Sequence, residues 1–237
     1  MRNFFITGTD TDAGKTFVTC ALLQAFAMRG LTAIPMKPIA AGTININGVQ
    51  MNTDVVALRE ASATKALLAD INPYCFSEPI APHLAATHER VVVELAVIRA
   101  AFDRLSEEAD TVLVEGAGGF LVPLSATQSM AEIPRALSLD VILVVGMRLG
   151  VLNHALLTVE AIQARGLTLA GWVANIPLAG DTMLFLDENI STLSRMIAAP
   201  LLGIVPHDNQ SDGARESAQR AARFLDIEPL LQLKGNK

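Results

Sequence analysis

Residues 8–16 read GTDTDAGKT and directly follow the apolar run FFIT at 4–7. A strand, a glycine-containing turn, Lys-Thr and a helix form the usual phosphate-binding loop, G-x-x-x-x-G-K-[ST]. The first glycine of that pattern belongs at position 9, but here it is Gly8, so this phosphate loop (residues 8–16) is a variant. An ordinary turn with a chance Gly-Lys-Thr is the alternative, and the strand–loop–helix context disfavours it. The stretch therefore predicts a nucleoside triphosphate site.

The phosphate loop also carries two carboxylates, Asp10 and Asp12. Carboxylates repel phosphate oxygens, so the loop is expected to contact something besides nucleotide.

Composition indicates a globular protein with a large core. The 237 residues are 51% hydrophobic, and we expect one α/β domain spanning residues 1–237. Apolar runs such as VILVV at 141–145 are too short to span a bilayer. A net charge of −6 argues against a nucleic-acid partner. Two cysteines, Cys20 and Cys75, are expected as buried thiols of a reducing compartment, so we expect a cytoplasmic enzyme with no membrane partner.

Strand-like apolar runs alternate with helical stretches along the chain. The strands are predicted at 4–7, 33–36, 111–114, 141–145, 169–174 and 201–205, and the helices near 16–29, 53–66, 93–108, 153–165 and 182–197. Strands that are apolar throughout indicate a mainly parallel sheet with helices on both faces. Because such sheets bind ligands beyond the carboxyl ends of their strands, the residues that follow the strands are the candidate site.

Three charged residues follow predicted strands. Lys37 is either a solvent-reaching side chain or a second fixed ammonium beside the triphosphate. Asp54 opens a helix, where with Asn52 and Thr53 it is alternatively an N-terminal cap. Glu115 ends an apolar strand in TVLVEGAGG, as the carboxylate of a Walker-B strand does, although a structural partner for a buried Glu is the alternative.

Magnesium prefers oxygen ligands and keeps substrate phosphates among them. Thr16, Asp54 and Glu115 would supply three such oxygens. The four histidines have no metal-binding spacing, so a histidine-bound metal is disfavoured; they are His83, His88, His154 and His207.

The last three strands are followed by further polar candidates. Gly150, in GMRLGVLNHA at 146–155, leaves free N–H groups at a helix start that can bind a carboxylate; the alternative is a packed loop capped by Asn153. Asn175 offers a donor and an acceptor to the edge of a base. Pro206 leaves nearby main-chain groups exposed at the same carboxyl edge of the predicted sheet.

Taken together, these motifs resemble the dethiobiotin synthetase family, the ATP-dependent carboxylase-cyclases of biotin synthesis. The stretches that carry the resemblance span most of the chain: GTDTDAGKT (8–16), KPIAAG (37–42), NPYCFSEPIAPH (72–83), VEGAGG (114–119), VVGMRLGVLNHALLT (144–158), LAGWVAN (169–175) and APLLGIVP (199–206). The resemblance implies a phosphate-loop NTPase fold and an ATP- and Mg²⁺-dependent ligase. Its substrates would be 7,8-diaminononanoate (7,8-diaminopelargonate) and CO2, and a carbamate and a carbamic–phosphoric anhydride would lead to dethiobiotin, ADP and phosphate.

The resemblance also implies a role for each matching residue. The catalytic residues would be Thr11, Asp12, Lys15 and Lys37, and the magnesium ligands Thr16, Asp54 and Glu115. ATP would be bound by Asp12, Ala13, Gly14, Lys15, Thr16, Phe17, Asp54, Glu115, Gly116, Ala117, Gly118, Asn175, Ile176, Val205, Pro206 and His207. The organic substrate would be bound by Thr11, Lys37, Ala41, Gly150, Val151, Leu152 and Asn153, the last four from the neighbouring subunit of a homodimer.

A diamine substrate accounts for a carboxylate in the phosphate loop, because a carboxylate can hold or deprotonate an amine. We assign that position to Asp12, with Thr11 as its hydroxyl partner, and expect Asp10 to bond within the loop. Two positions depart from the family pattern. The family commonly has Glu at position 12, and it has Ser where this chain has Ala41, which removes a hydrogen bond worth about 0.5–1.5 kcal/mol.

Two other functions are weighed against this one. Regulatory ATPases of the partition and site-selection type share the variant phosphate loop but carry a lysine where this chain has Asp10. Cobyrinate amidases need a glutaminase domain with a nucleophilic cysteine, for which this chain is too short and Cys75 has no suitable setting.

Overall fold

The computed structural model describes residues 2–46, 48–177, 183–210 and 213–233. The strands in these residues are β1 (Phe4–Gly8), β2 (Ala33–Met36), β3 (Ile39–Ala41), β4 (Ile44–Ile46), β5 (Val49–Met51), β6 (Tyr74–Phe76), β7 (Thr111–Gly119), β8 (Asp140–Gly146), β9 (Leu169–Asn175) and β10 (Leu201–Val205). The helices are α1 (Lys15–Met28), α2 (Thr53–Ser62), α3 (Leu68–Ile71), α4 (Pro82–His88), α5 (Leu95–Glu108), α6 (Glu132–Leu137), α7 (Val151–Gln163), α8 (Leu186–Met196), α9 (Ala214–Ala222) and α10 (Glu228–Leu231).

Six strands form one parallel sheet in the order β10-β9-β8-β1-β7-β2. The first strand therefore lies inside the sheet, between β8 and β7. Because all six strands run the same way, their carboxyl ends meet at one edge, and the phosphate loop leaves from the middle of that edge. The predicted fold class is confirmed.

Helices cover both faces of this sheet. Alternate residues of a strand point to opposite faces. Phe4 and Ile6 accordingly pack in the cluster formed with α1, α2 and α9, whereas Phe5 packs in the cluster formed with α3, α5 and α6. On that second face, α7 and α8 cover Trp172 and the neighbouring side chains of β8 and β9. The strands are apolar throughout because both faces of the sheet are buried.

All six predicted strands of this sheet are present, with small differences at their ends. β7 continues to Gly119, so Glu115 lies inside the strand, paired with Ile6, and not after it. Helix α2 ends at Ser62 because Ala63 adopts the left-handed conformation, with φ of 52°. Residue 182, where the last predicted helix starts, lies outside the described residues; α8 begins at Leu186.

Four short strands have no counterpart in the prediction. β3 and β6 pair in parallel, and β4 and β5 form an antiparallel hairpin. Cys75 belongs to β6 and is exposed, so the expectation that it is buried was wrong, whereas Cys20 is buried in α1. Within the described residues, no helix combines the length and apolarity needed to cross a membrane.

Phe26→Ala tests the core on the α1 face. Phe26 is fully buried, and its ring centroid lies 6.4 Å from that of Phe4. We expect the substitution to lower the free energy of unfolding by about 3–5 kcal/mol, since it leaves a cavity in the core. Phe224→Ala is the control, because that side chain is 52% exposed and its loss should cost below about 1 kcal/mol. Urea unfolding measures both, and equal losses would contradict the assignment of Phe26 to the core.

Candidate active site

A cavity of about 1110 Å³ opens at the carboxyl edge of the parallel sheet. Its walls come from the segments that follow β1, β2, β7, β8 and β9, as expected for a sheet of this topology. It is lined by Thr11, Asp12, Gly14, Lys15, Thr16, Phe17, Lys37, Ala41, Asn52, Asp54, Pro79, Ile80, Ala81, Pro82, Ala117, Gly118, Val122, Met147, Arg148 and Pro177.

The phosphate loop forms the floor of the cavity. A short 3-10 helix at Thr11–Ala13 leads through Gly14 into α1, whose first residue is Lys15. The Lys15 ammonium donates to the carbonyl oxygens of Asp10 and Thr11, at 2.9 and 3.1 Å. Burial lowers the pKa of Lys15 to about 8, although nearby Glu115 opposes this shift. The helix start and this ammonium together form an anion site.

Asn175 holds the phosphate loop from the last residue of β9. Its Nδ2 donates to the carbonyl oxygen of Ala13 at 3.0 Å. Gly14 has φ of +86°, and a Cβ placed on it would lie 2.0 Å from this Nδ2. The side-chain Oδ1 of Asn175 is buried and has no hydrogen-bond partner among the described residues. One N–H of the amide is therefore used within the protein, and the acceptor Oδ1 has no partner among the described residues.

An ion-pair cluster lies beside the loop, with Lys37 and Glu115 buried and Asp54 partly exposed. The Lys37 ammonium is 2.5 Å from Asp54 Oδ2 and 2.7 Å from Glu115 Oε1. Burial by itself would lower the pKa of Lys37, but Glu115 and Asp54 raise it above the ordinary value. Burial would likewise raise the pKa of Asp54, but Lys37 holds it below the ordinary value. Lys37 and Asp54 are therefore both charged at neutral pH.

Thr16 joins this cluster from the first turn of α1. Its hydroxyl donates to Glu115 Oε1 at 2.8 Å. The other carboxylate oxygen of Glu115 is buried and, among the described residues, unpartnered. No cluster of three His, Cys, Asp or Glu side chains that could hold a metal occurs in the described ranges. A magnesium site would instead combine the Thr16 hydroxyl with two carboxylates, and the unpartnered Glu115 oxygen fits such an ion.

Asn52 fixes the position of Asp54. It caps α2 by accepting from the N–H groups of Asp54 and Val55, at 3.0 and 3.4 Å. Its Nδ2 donates to the carbonyl oxygens of Ala41 and Gly42, at 3.2 and 2.8 Å. One buried side chain therefore ties the start of α2 to the segment that lines the opposite wall. The alternative interpretation of 52–54 as a helix cap is confirmed, with Asn52 as the cap.

The two carboxylates of the phosphate loop have different environments. Asp12 is exposed and lines the cavity. Asp10 accepts from the Thr11 N–H at 2.8 Å, as expected for a loop-internal residue, and also forms an ion pair with Arg148. The Thr11 N–H and, secondarily, Arg148 hold the pKa of Asp10 below its ordinary value. Only Asp12 is therefore positioned to meet a second ligand.

Not all the residues assigned from the sequence lie at the cavity. Most of the assigned residues line it: Thr11, Asp12, Gly14, Lys15, Thr16, Phe17, Lys37, Ala41, Asp54, Ala117 and Gly118. Glu115 is joined to two of them by its hydrogen bonds with Thr16 and Lys37. Residues not among its lining are Ala13, Gly116, Asn175, Ile176, Val205, Pro206, His207, Gly150, Val151, Leu152 and Asn153. Gly150 caps α7 and is exposed, so Asn153 is not the cap but the third residue of the helix.

Sequence reasoning did not single out several lining residues. Residues 79–82 are one such group. The others are Val122, Met147, Arg148 and Pro177. Two of the three prolines in the stretch NPYCFSEPIAPH, Pro79 and Pro82, line the cavity and are a signal for a rigid wall that could have been used. No local pattern indicated Arg148, because its ion pair with Asp10 joins residues far apart in the sequence.

Comparison with known proteins identifies the family. A family model described as an AAA domain matches residues 2–215. The ATP-dependent dethiobiotin synthetase BioD of Aromatoleum aromaticum is 54% identical over 217 residues, which are 92% of this chain and 96% of that protein. The protein of the same name from Nitrosospira multiformis is 49% identical and covers 95% of each chain. The chain belongs to the ATP-dependent dethiobiotin synthetase family.

Solved structures with a similar fold come from other families. The MinC:MinD cell division complex of Aquifex aeolicus superposes with a TM-score of 0.58 at 14% identity, covering 100% of this chain and 99% of that one. The cell division ATPase MinD of Pyrococcus furiosus gives a TM-score of 0.57 at 14% identity, covering 97% of this chain and 100% of that one. At such identities the likeness extends to the fold alone.

Gly14→Ala tests the contact between Asn175 and the phosphate loop. We expect the affinity for ATP to fall at least about tenfold, because the added Cβ strains the backbone and displaces the Asn175 amide. Gly30→Ala is the matched control: its φ is +73°, but nothing lies within 4 Å of the new Cβ. Calorimetric titration with ATP measures both variants. Equal ATP affinity of the two would contradict a role for the tight packing at Gly14.

Proposed function

We propose that the chain is an ATP-dependent dethiobiotin synthetase that carboxylates 7,8-diaminononanoate with CO2 and closes the ureido ring. Membership of the family supports the reaction. The observation that carries it here is the position of the buried Lys37 ammonium, which lines the same cavity as the phosphate loop. A fixed cation beside a triphosphate can stabilise charge that develops during transfer.

In the proposed reaction, one amine of the substrate adds to CO2, releases a proton and becomes a carbamate. A carbamate oxygen then attacks the γ-phosphorus of ATP, and ADP leaves. The second amine attacks the carbonyl carbon of the resulting anhydride, and the C–O bond to phosphate breaks as the ring closes. The products are dethiobiotin, ADP and phosphate, and the second amine loses its proton.

The residues at the cavity suit these steps. Asp12, with Thr11 beside it, is the carboxylate that can hold or deprotonate an amine. Lys15 faces the phosphates at the start of α1, and Lys37 faces the carbamate. The shorter side chain of Asp12 and the missing hydroxyl at Ala41 are expected to weaken substrate binding without removing activity.

Thr16, Asp54 and Glu115 would hold Mg²⁺, which in such enzymes neutralises phosphate charge. Their donor set of hydroxyl and carboxylate oxygens suits this ion. Asn175 Oδ1, which has no hydrogen-bond partner among the described residues, would accept from the amino group of adenine.

The test of the function is phosphate release from ATP, measured with and without diaminononanoate and bicarbonate. We expect release to depend on both additions, with dethiobiotin formed in equal amount. The other candidate is a regulatory ATPase switch of the partition and site-selection type, because those proteins share the variant phosphate loop. Release that is independent of both compounds would support the switch and overturn the synthetase.

Glu115→Gln should raise the magnesium concentration needed for ATP binding by more than about tenfold. The substitution replaces an anionic ligand by a neutral one and leaves Lys37 with Asp54 alone. Glu132→Gln is a control at a carboxylate that pairs with Arg135 and is not among the residues lining the cavity. Binding of ATP is measured at increasing Mg²⁺, and an unchanged requirement would assign Glu115 to a structural role.

We further propose that the active form is a homodimer in which the α7 start of one subunit binds the substrate carboxylate of the other. The exposed N-terminus of α7 does not line its own chain's cavity. Leu149, just before it, is 94% exposed, and Leu184 and Phe185 are 81% and 71% exposed. Exposed apolar side chains of this size suit burial in an interface. The helix start offers N–H donors and a favourable dipole to the carboxylate.

Mixing two inactive variants tests the shared site. Lys37→Ala and Asn153→Trp would damage opposite ends of each site, so a mixed dimer keeps one intact site. Activity should recover to roughly a quarter of wild type at random equal mixing. Lys37→Ala mixed with Glu115→Gln is the control, because both residues serve the same end and no intact site can form. Equal recovery in the two mixtures, or none in either after proven exchange, would contradict an anchor from the partner.

A further inference from the structure

The backbone of Lys37 is held from one short segment of the chain. The Lys37 N–H donates to the carbonyl oxygen of Ile71 at 2.7 Å. The side-chain Nδ2 of Asn72 donates to the carbonyl oxygen of Lys37 at 2.7 Å and to that of Tyr74 at 3.0 Å. Asn72 is 7% exposed, and its bond to the Lys37 carbonyl is buried, whereas the bond to the Tyr74 carbonyl is partly buried. Both polar groups of the Lys37 backbone are therefore fixed by residues 71–72.

A side-chain donor is needed beside Lys37 because the backbone provides few N–H donors there. Pro38 follows Lys37 and Pro73 follows Asn72, and proline has no N–H. The regular pairing of β3 with β6 begins only at Ile39 and Tyr74. The amide of Asn72 therefore supplies donors where the two chain segments meet ahead of the ladder.

The segment that carries Asn72 is itself anchored. Asn72 ends α3, and its N–H donates to the carbonyl oxygen of Leu68 at 2.8 Å. Asp70 in the same helix is buried and pairs with Arg104 of α5 at 2.6 Å. Because α3 packs on α5, Asn72 is held in place independently of Lys37.

The position of the Lys37 ammonium depends on where its backbone is held. The side chain must reach two carboxylates at 2.5 and 2.7 Å, and a shift of its Cα would move the ammonium from both. We propose that Asn72 is a positioning residue for Lys37: it contacts no reactant and acts by fixing the Lys37 carbonyl. This inference rests on the proposed function of Lys37.

Replacement of Asn72 should affect turnover more than nucleotide binding. We expect Asn72→Ala to lower kcat about tenfold, as the loss of two buried hydrogen bonds can. The dissociation constant of ATP should stay within about twofold, because the hydrogen bonds of Asn72 in the described residues go to Lys37, Leu68 and Tyr74, which lie outside the phosphate loop. Asn72→Ser keeps one hydroxyl donor on a shorter side chain, so its kcat should fall less. It provides a second variant if Asn72→Ala folds poorly.

A double-mutant cycle separates positioning from general structural support. If Asn72 acts only through Lys37, Lys37→Ala and Lys37→Ala/Asn72→Ala have the same residual rate in single-turnover assays. If the rate of the double variant is instead lowered by the product of the losses of the two single variants, the inference is overturned. Lys37→Ala should itself lower turnover by about 10²–10³-fold. If it leaves turnover unchanged, the proposed role of Lys37 fails and the inference fails with it.

Thr111→Val is the matched control for stability. Thr111 is fully buried at the opposite end of β7, where its hydroxyl donates to the carbonyl oxygen of Arg2 at 2.7 Å. This variant should lower the melting temperature while keeping kcat. If Asn72→Ala and Thr111→Val lower kcat equally at matched stability, Asn72 has no specific connection to Lys37, and the inference is overturned.

Discussion

The Lys37 ammonium lies between the carboxylates of Asp54 and Glu115, and the arrangement of the cavity depends on this cluster. Its members come from three separate places: the end of β2, the first turn of α2 and the interior of β7. Burial of a lone charge costs several kcal/mol, so the buried Lys37 and Glu115 require each other, and the partly exposed Asp54 adds a second anionic partner for Lys37. The cluster thus fixes three chain segments against one another, and the supporting amides of Asn52 and Asn72 hold the backbone on two sides of it.

Much of this arrangement follows from local sequence signals. Parallel strands buried on both faces are apolar throughout, so the strands and the charged residues at their ends could be located without a structure. The two small pairs of strands could not, because three residues contain too few positions to establish a period. The orientation of Asn175 and the Arg148–Asp10 ion pair depend on contacts between distant residues, which no local pattern records.

The fold itself does not separate a synthetase from a regulatory switch. MinD shares most of the architecture at 14% identity, which shows how many functions one phosphate-loop scaffold supports. The distinction lies in particular positions. Asp10 pairs with Arg148, and the exposed Asp12 lines the cavity, so Asp12 gives the loop an anionic side there. An anionic loop suits a cationic second ligand.

The ion pairs of Lys37 leave it able to bind a further anion. An ammonium has three N–H groups, and two of them donate to Asp54 and Glu115. Since Lys37 lines the cavity, the third is available to an oxygen there. In the proposed reaction a carbamate oxygen would take it without breaking either ion pair, and no large movement of the lysine would be needed. The two carboxylates would then keep the ammonium charged and directed, which is the preorganisation that electrostatic stabilisation requires.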